Sequence, residues 1–112
     1  MAIESQPIGE VRVAKQVLST IAINSALLVR GVARMAQGAD QWSRLLGREV
    51  PRQGVALSIK DNIVSVDLYI VVNADADIVA IGSSVQDEVA SSLEEMVGMQ
   101  VHEVNVYIQD VA

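Results

Sequence analysis

The sequence predicts an α+β domain: a two-layer sandwich in which two long helices cover one face of a four-stranded mixed sheet. Two segments on either side of a turn, 55–60 and 64–72, alternate apolar and polar residues as strands do. Two others, 14–32 and 78–96, repeat their apolar residues every three or four positions, which is typical of helices with one buried stripe. The predicted element order is β-α-β-β-α-β.

The first quarter of the chain is predicted to hold a short strand followed by a helix. Val11 and Val13 alternate with charged neighbours over residues 9–13, which indicates a strand. From Ala14 the apolar period lengthens to that of a helix of about 16 residues. Gly31 is expected to end this helix, because glycine readily adopts the left-handed conformation found at helix ends.

The middle of the chain is predicted to contain a short helix between loops. Trp42 and Leu46 lie at helical spacing within residues 38–47, behind Asp40 as a helix cap. Pro51 is expected to break the chain after this segment.

A β-hairpin is predicted next, because Asp61 and Asn62 supply turn chemistry between the two alternating segments. The loop at 73–77 then offers aspartates to cap the second long helix, which Gly98 ends. A last strand is predicted at 99–111. A helix-length connection between strands favours their parallel pairing.

Composition excludes several classes of protein. The chain has 112 residues, enough for one domain, predicted at 8–112 behind a loose lead-in at 1–7. Its formal charge is −6, which would repel a nucleic-acid backbone. The absence of cysteine excludes disulfides and thiol chemistry and favours the cytoplasm. No apolar run approaches the roughly 20 residues that a membrane-spanning helix needs, so no direct membrane insertion is expected.

No catalytic, metal or cofactor site is predicted. His102 is the single histidine, and its strand position suggests a partly buried residue at the start of the last strand. Asn73, Asp75 and Asp77 have the spacing that begins a calcium loop, but such a loop would need glycine where Ile78 stands. Helix capping therefore explains these residues better, and the protein is not expected to be an enzyme.

The sheet face turned away from the helices is the predicted contact surface. Both tyrosines of the chain fall on it, and tyrosine is enriched in protein interfaces. The partner-binding residues predicted on this face are Asp67, Tyr69, Asn105, Tyr107 and Gln109. Ser58, Lys60 and Ser65 are expected beside them. Trp42 either packs as a lid on the core or serves as an anchor for a partner.

Several short segments spread over nearly the whole chain form a combined pattern. They are 9–13, 17–22, 30–35, 54–57, 66–72, 85–89, 95–98 and 104–110, with Val-Asp-Leu-Tyr at 66–69 and Val-Asn-Val at 104–106. In combination they resemble the alkaline shock protein family, the bacterial envelope stress response proteins. The resemblance implies a cytosolic protein without enzymatic activity, prone to self-association and held near the membrane by separate anchor proteins.

Two functional hypotheses follow. The first is a homo-oligomerising scaffold in the envelope stress response, with a membrane-anchor protein among its partners. The second is an accessory domain that binds a small molecule or lipid, with the aliphatic core opening into a pocket under Trp42. The resemblance supports a link to fatty-acid metabolism for this second hypothesis, because some relatives lie beside fatty-acid kinase components.

Overall fold

The structure, a computed structural model, describes residues 8–9, 12–37, 51 and 53–112. Its elements are α1 (Lys15–Leu27), β1 (Val32–Met35), β2 (Val55–Lys60), β3 (Ile63–Val72), α2 (Ile78–Ser92), which continues into a π-helical turn (Leu93–Val97), and β4 (Gln100–Val111). The lead-in at 1–7 and the short helix predicted at 38–47, with Trp42, lie outside the described residues.

The sheet is built around β3. On one side β4 runs parallel to β3 along its whole length. On the other side β2 and β1 follow one another, both antiparallel to β3, with β2 beside residues 63–68 and β1 beside residues 70–72. The predicted mixed sheet and the parallel pairing across α2 are confirmed.

The residue after β1 and the residue before β2 both form hydrogen bonds with the backbone of Tyr69. The Tyr69 N–H donates to the Gly54 carbonyl at 2.8 Å, and the Tyr69 carbonyl accepts from the Ala36 N–H at 2.8 Å. Gly54 has a φ of +77°, and a Cβ there would lie 2.6 Å from the Ala36 carbonyl oxygen and 2.9 Å from that of Tyr69. Glycine is therefore required by both the backbone conformation and the space available.

The hairpin between β2 and β3 has the two-residue turn that the sequence predicts. Asp61 and Asn62 have φ values of 52° and 64°, and Lys60 pairs directly with Ile63. Two consecutive residues with positive φ are the signature of a type I′ turn, whose twist matches that of the flanking strands.

The main core lies between the sheet and the two helices. Alternate residues of β3, which are Val64, Val66, Leu68, Ile70 and Val72, are fully buried in it. The helices contribute Leu18, Ala22, Ala26, Ile81, Val85 and Val89. Both helices therefore cover the same face of the sheet, and the predicted two-layer α+β sandwich is confirmed.

Both ends of α2 lie where the sequence predicts them, with Asp77 as the cap and Gly98 after the last turn. The Asp77 side chain accepts a hydrogen bond from the Ala80 N–H at 3.1 Å, which caps the first turn. Gly98, with a φ of 75°, follows the π-helical turn and donates its N–H to the Glu94 carbonyl at 3.0 Å. The π-helical form of the last turn was not predicted.

The predicted element order is wrong at one place. The described part of residues 9–13 contains no strand, and Val13 is exposed. The fourth strand is instead β1, which the sequence assigned to the end of the first helix because Val32 continues its apolar period. Only the pairing with β3 reveals β1, since four residues are too few for a strand period to stand out.

The first helix is also shorter than predicted. α1 spans 13 residues, starts behind Ala14 without a side-chain cap and ends at Leu27. Gly31 lies in the turn that leads into β1, where its φ of 105° reverses the chain. Its role is to start the strand rather than to end the helix.

Candidate interaction surface

The open face is the side of the sheet turned away from both helices. Because side chains alternate along a strand, the residues of β3 between the core positions point to this side. The open face consists of Ser65, Asp67, Tyr69 and Val71 on β3, Glu103, Asn105 and Tyr107 on β4, and Ala56, Ser58 and Lys60 on β2. The structure thus brings together four of the five predicted partner-binding residues.

The fifth predicted residue, Gln109, lies in a bulge. Ile108 pairs with Ile70, but the next pair joins Asp110 to Val71, which leaves Gln109 as an extra residue in β4. Its half-buried side chain is therefore outside the regular alternation on which its prediction rested.

Two tyrosine rings stack at the centre of the open face. Tyr69 and Tyr107 are directly paired across β3 and β4, and their ring centroids are 4.9 Å apart with planes inclined by 20°. Parallel strands hold directly paired side chains side by side, so the two rings act as one apolar surface. Both side chains are half-buried.

A small apolar cluster supports the stack from the β1 side. Val71 is 1% exposed and Ala36 is fully buried, and Ala33 and Tyr69 pack against them. Tyr69 is consequently held between this cluster and the ring of Tyr107. Its ring position follows from packing on both sides.

A row of polar side chains lies next to the tyrosines. The Asn105 amide donates to Asp67 Oδ1 at 2.9 Å and to Glu103 Oε2 at 2.7 Å. Asn105 is directly paired with Asp67 across the two strands. A single amide therefore bridges two carboxylates, which gives this part of the open face an acidic character.

His102 is exposed rather than partly buried, so its predicted environment is wrong. The pairing of β4 with β3 passes from Val101 to Glu103, and His102 is the extra residue of a bulge. Its side chain is 68% exposed, with Nε2 at 3.6 Å from Glu103. A bulge shifts the alternation of side chains by one residue, and the local sequence contains no pattern that predicts this bulge.

The described ranges contain no group of three or more metal-ligating His, Cys, Asp or Glu residues. No helix in the same ranges is both long enough and apolar enough to cross a membrane.

One end of the sandwich has a cavity of about 490 Å³. It opens between the start of α1, the hairpin turn and the chain that follows α2. Its lining is Arg12, Val13, Leu18, Ile59, Asn62, Val97 and Met99. The pocket predicted beneath Trp42 lies outside the described residues.

Comparison with known proteins identifies the class to which this fold and surface belong. Residues 3–112 match the alkaline shock protein 23 family, which is described by a cell envelope-related function. The match covers nearly the whole chain, so the protein belongs to this family. The resemblance stated from the sequence is confirmed.

Two relatives illustrate the similarity. Uncharacterised protein Spy1614 of Streptococcus pyogenes serotype M6 is 30% identical over 106 residues, covering 92% of this chain and 88% of that protein. Uncharacterised protein YqhY of Bacillus subtilis strain 168 is 29% identical over 106 residues, covering 94% of this chain and 78% of that protein.

Solved structures with the same fold include MamM-CTD. One such structure superposes with a TM-score of 0.55 at 9% identity, covering 87% of this chain and 99% of that one. A MamM-CTD copper form also reaches a TM-score of 0.55, at 8% identity, covering 87% of this chain and 98% of that one. At such low identity the likeness shows the fold alone.

Proposed function

We propose that this protein is a non-enzymatic scaffold in the cell-envelope stress response. It acts in the cytoplasm by self-association and by binding partner proteins through the open face. A membrane-anchored protein among these partners would hold it close to the membrane.

The observation that carries this proposal is the Tyr69–Tyr107 stack. Tyrosine contributes a large, rigid contact area and loses little conformational entropy on binding. Here each ring is further restrained by the other at 4.9 Å, so the surface is ordered before a partner arrives. Preorganised contact area of this kind favours affinity, because less ordering remains to be done on binding.

The polar row indicates the chemistry of the partner. Asp67 and Glu103 place two carboxylates on one side of the stack, bridged by Asn105. A partner surface with Arg or Lys opposite this row would be complementary in charge, and arginine would also stack on the tyrosine rings. We therefore expect a basic segment on the partner protein.

The proposal assigns no catalytic step to the chain. His102 is exposed beside a carboxylate rather than held against a nucleophile in a cleft. The open face offers contact area and hydrogen bonds, which suit binding.

Crosslinking in cells of the native organism, followed by recovery of the tagged protein, tests the proposal. Tyr69→Ala and Tyr107→Ala should each lose the partner proteins that the wild type recovers. Tyr107→Phe, which keeps the ring, and Ser83→Ala, on the exposed side of α2, should retain them. Equal recovery by the alanine variants would contradict the role of the open face. A strict monomer by light scattering at all concentrations would contradict self-association.

A ligand-binding accessory role is the second candidate, and the cavity at the end of the sandwich supports it. Val13, Leu18 and Ile59 give this cavity apolar walls, and the Asn62 side chain adds an amide to its lining. A small molecule with an aliphatic chain and a polar end would match this lining. NMR titration with a medium-chain fatty acid should shift the methyl signals of Leu18 and Ile59. Unchanged signals at saturating ligand would eliminate this role.

A further inference from the structure

The outer edge of β4 is the longest edge of the sheet. β4 has 12 residues and pairs with β3 on one side only. Within the described residues, no strand pairs with its other side. Such an edge presents a row of backbone donors and acceptors that favours the addition of another strand.

The direction of individual peptide groups follows from the hydrogen bonds at the two ends of β4. The Gln100 N–H donates to the Asn62 carbonyl and the Ala112 N–H to the Val72 carbonyl, so both face β3. The bulges at His102 and Gln109 each shift the alternation by one residue. Between the bulges, the even-numbered residues therefore turn their N–H and C=O groups outward.

A side-chain contact agrees with this assignment. The Gln86 amide on α2 donates to the Val104 carbonyl at 3.0 Å. This contact is possible because the Val104 carbonyl points away from β3. A carbonyl oxygen has two lone pairs, so this contact leaves room for a second donor. The outward residues of the regular stretch are Val104, Val106 and Ile108.

This stretch lacks the features that usually protect an edge. Proteins commonly place charges, proline or a bulge on exposed edge strands. In β4 the charged residues Glu103 and Asp110 and the bulges at His102 and Gln109 lie at the two ends, and residues 104–108 contain no charge, no proline and no bulge. Val106 and Ile108, which face the helix layer, remain only half-buried at the edge.

We propose that β4 pairs antiparallel with β4 of a second copy of this chain, about a two-fold axis at Val106. The proposal rests on the self-association in the proposed function and names the surface that performs it. Val106 would pair with its own copy, and Val104 with Ile108 of the second copy. Asn105 would lie opposite Tyr107 on the open face.

The β4 edge is complementary to itself, which favours a second copy of this chain as the partner and fixes the register of the pairing. With the axis at Val106, all three outward residues of each copy form backbone pairs, and the aliphatic side chains of Val104, Val106 and Ile108 meet only one another across the axis. A shift of two residues would leave Ile108 or Val104 opposite a bulge. The pairing would also join the two open faces into one continuous surface that carries two tyrosine stacks.

Sedimentation velocity over a concentration series, with the full chain, tests this pairing. Val106→Pro removes an outward N–H but no hydrogen bond to β3, because the Val106 N–H points away from β3. It should weaken dimerisation by at least about tenfold. Val106→Thr, which keeps the N–H and the branched side chain, should change it far less. Equal dimerisation of the proline variant and the wild type would overturn the inference while leaving self-association intact.

Disulfide trapping provides a second measurement that does not depend on the proline variant folding. The chain has no cysteine, so introduced thiols are the only ones present. In a mixture of Asn105→Cys and Tyr107→Cys proteins, the mixed disulfide should form at least several-fold faster than either symmetric one. Directly paired Cβ atoms are about 5 Å apart, whereas diagonal neighbours are about 7–8 Å apart.

The matched control replaces Asn105→Cys by Ser58→Cys, which lies on β2 at the far side of the sheet. Mixed disulfide that forms no faster with Asn105→Cys than with Ser58→Cys would overturn the proposed register. A pure protein that stays monomeric would overturn both this inference and the self-association on which it rests. In that case, crosslinking of β4 to another protein in cells would assign the edge to a different partner.

Discussion

Tyr69 and Tyr107 are paired residue to residue across two parallel strands, and their rings stack with centroids 4.9 Å apart. The two residues are 38 positions apart in the sequence. They meet because α2 returns the chain to the free side of β3, parallel to it and in register. An aromatic surface on the open face therefore depends on the crossover connection.

A double-mutant cycle on the two tyrosines should reveal this contact. We expect Tyr69→Ala and Tyr107→Ala to be coupled by about 0.5–1.5 kcal/mol in the free energy of unfolding, as for other stacked aromatic pairs. Urea denaturation of the four proteins measures the coupling. Tyr107→Phe should retain most of it, and independent effects of the two alanine substitutions would show that the stack contributes nothing.

At Asn105, adding a negative charge should lower the stability more than removing the side chain does. Asn105→Ala removes two hydrogen bonds to carboxylates and should cost about 1 kcal/mol of stability, since the site is partly exposed. Asn105→Asp adds a third carboxylate and should cost more. Because salt screens repulsion between charges, the gap between the two variants should narrow from low to high ionic strength. A gap that is absent at low salt would contradict this explanation.

Alanine substitutions at Gly54 and Gly98 distinguish the effect of backbone conformation on stability from the effect of packing. Both have positive φ, so alanine at either position should cost about 1–2 kcal/mol through strain. At Gly98 a Cβ meets no atom within 4 Å, whereas at Gly54 it would press on the carbonyls of Ala36 and Tyr69. Thermal unfolding should therefore show a clearly larger loss for Gly54→Ala than for Gly98→Ala. Similar losses would mean that β1 and β2 separate easily at this point.

The core beneath α2 should not tolerate a charge. Val89 is fully buried between α2 and the sheet. Val89→Asp should cost at least about 4 kcal/mol, because a buried carboxylate without a partner is strongly unfavourable. A loss of this size removes most of the stability of a domain at the low end of the usual range of about 5–15 kcal/mol, and a larger loss removes all of it. Circular dichroism should show an unfolded chain, whereas Ser91→Asp, on the exposed side of the same helix, should remain folded.

Local patterns sufficed to predict most elements of this fold. The hairpin was predictable because Asp61 and Asn62 favour positive φ and lie between two strands of period two. The limits of α2 were predictable because Asp77 and Gly98 act through their immediate neighbours. The placement of both tyrosines on the open face follows from the same alternation, as long as a strand is regular.

The sequence by itself thus determined the α+β class, the hairpin, the second helix and the face that carries Tyr69 and Tyr107, since each depends on periodicity or on contacts within a few residues. Tertiary structure alone decided the strand at Val32–Met35 and the bulges that expose His102 and displace Gln109. A four-residue strand and an extra residue in β4 have no local signature. They exist because β3 offers backbone partners on both sides, and only the folded chain brings those partners together.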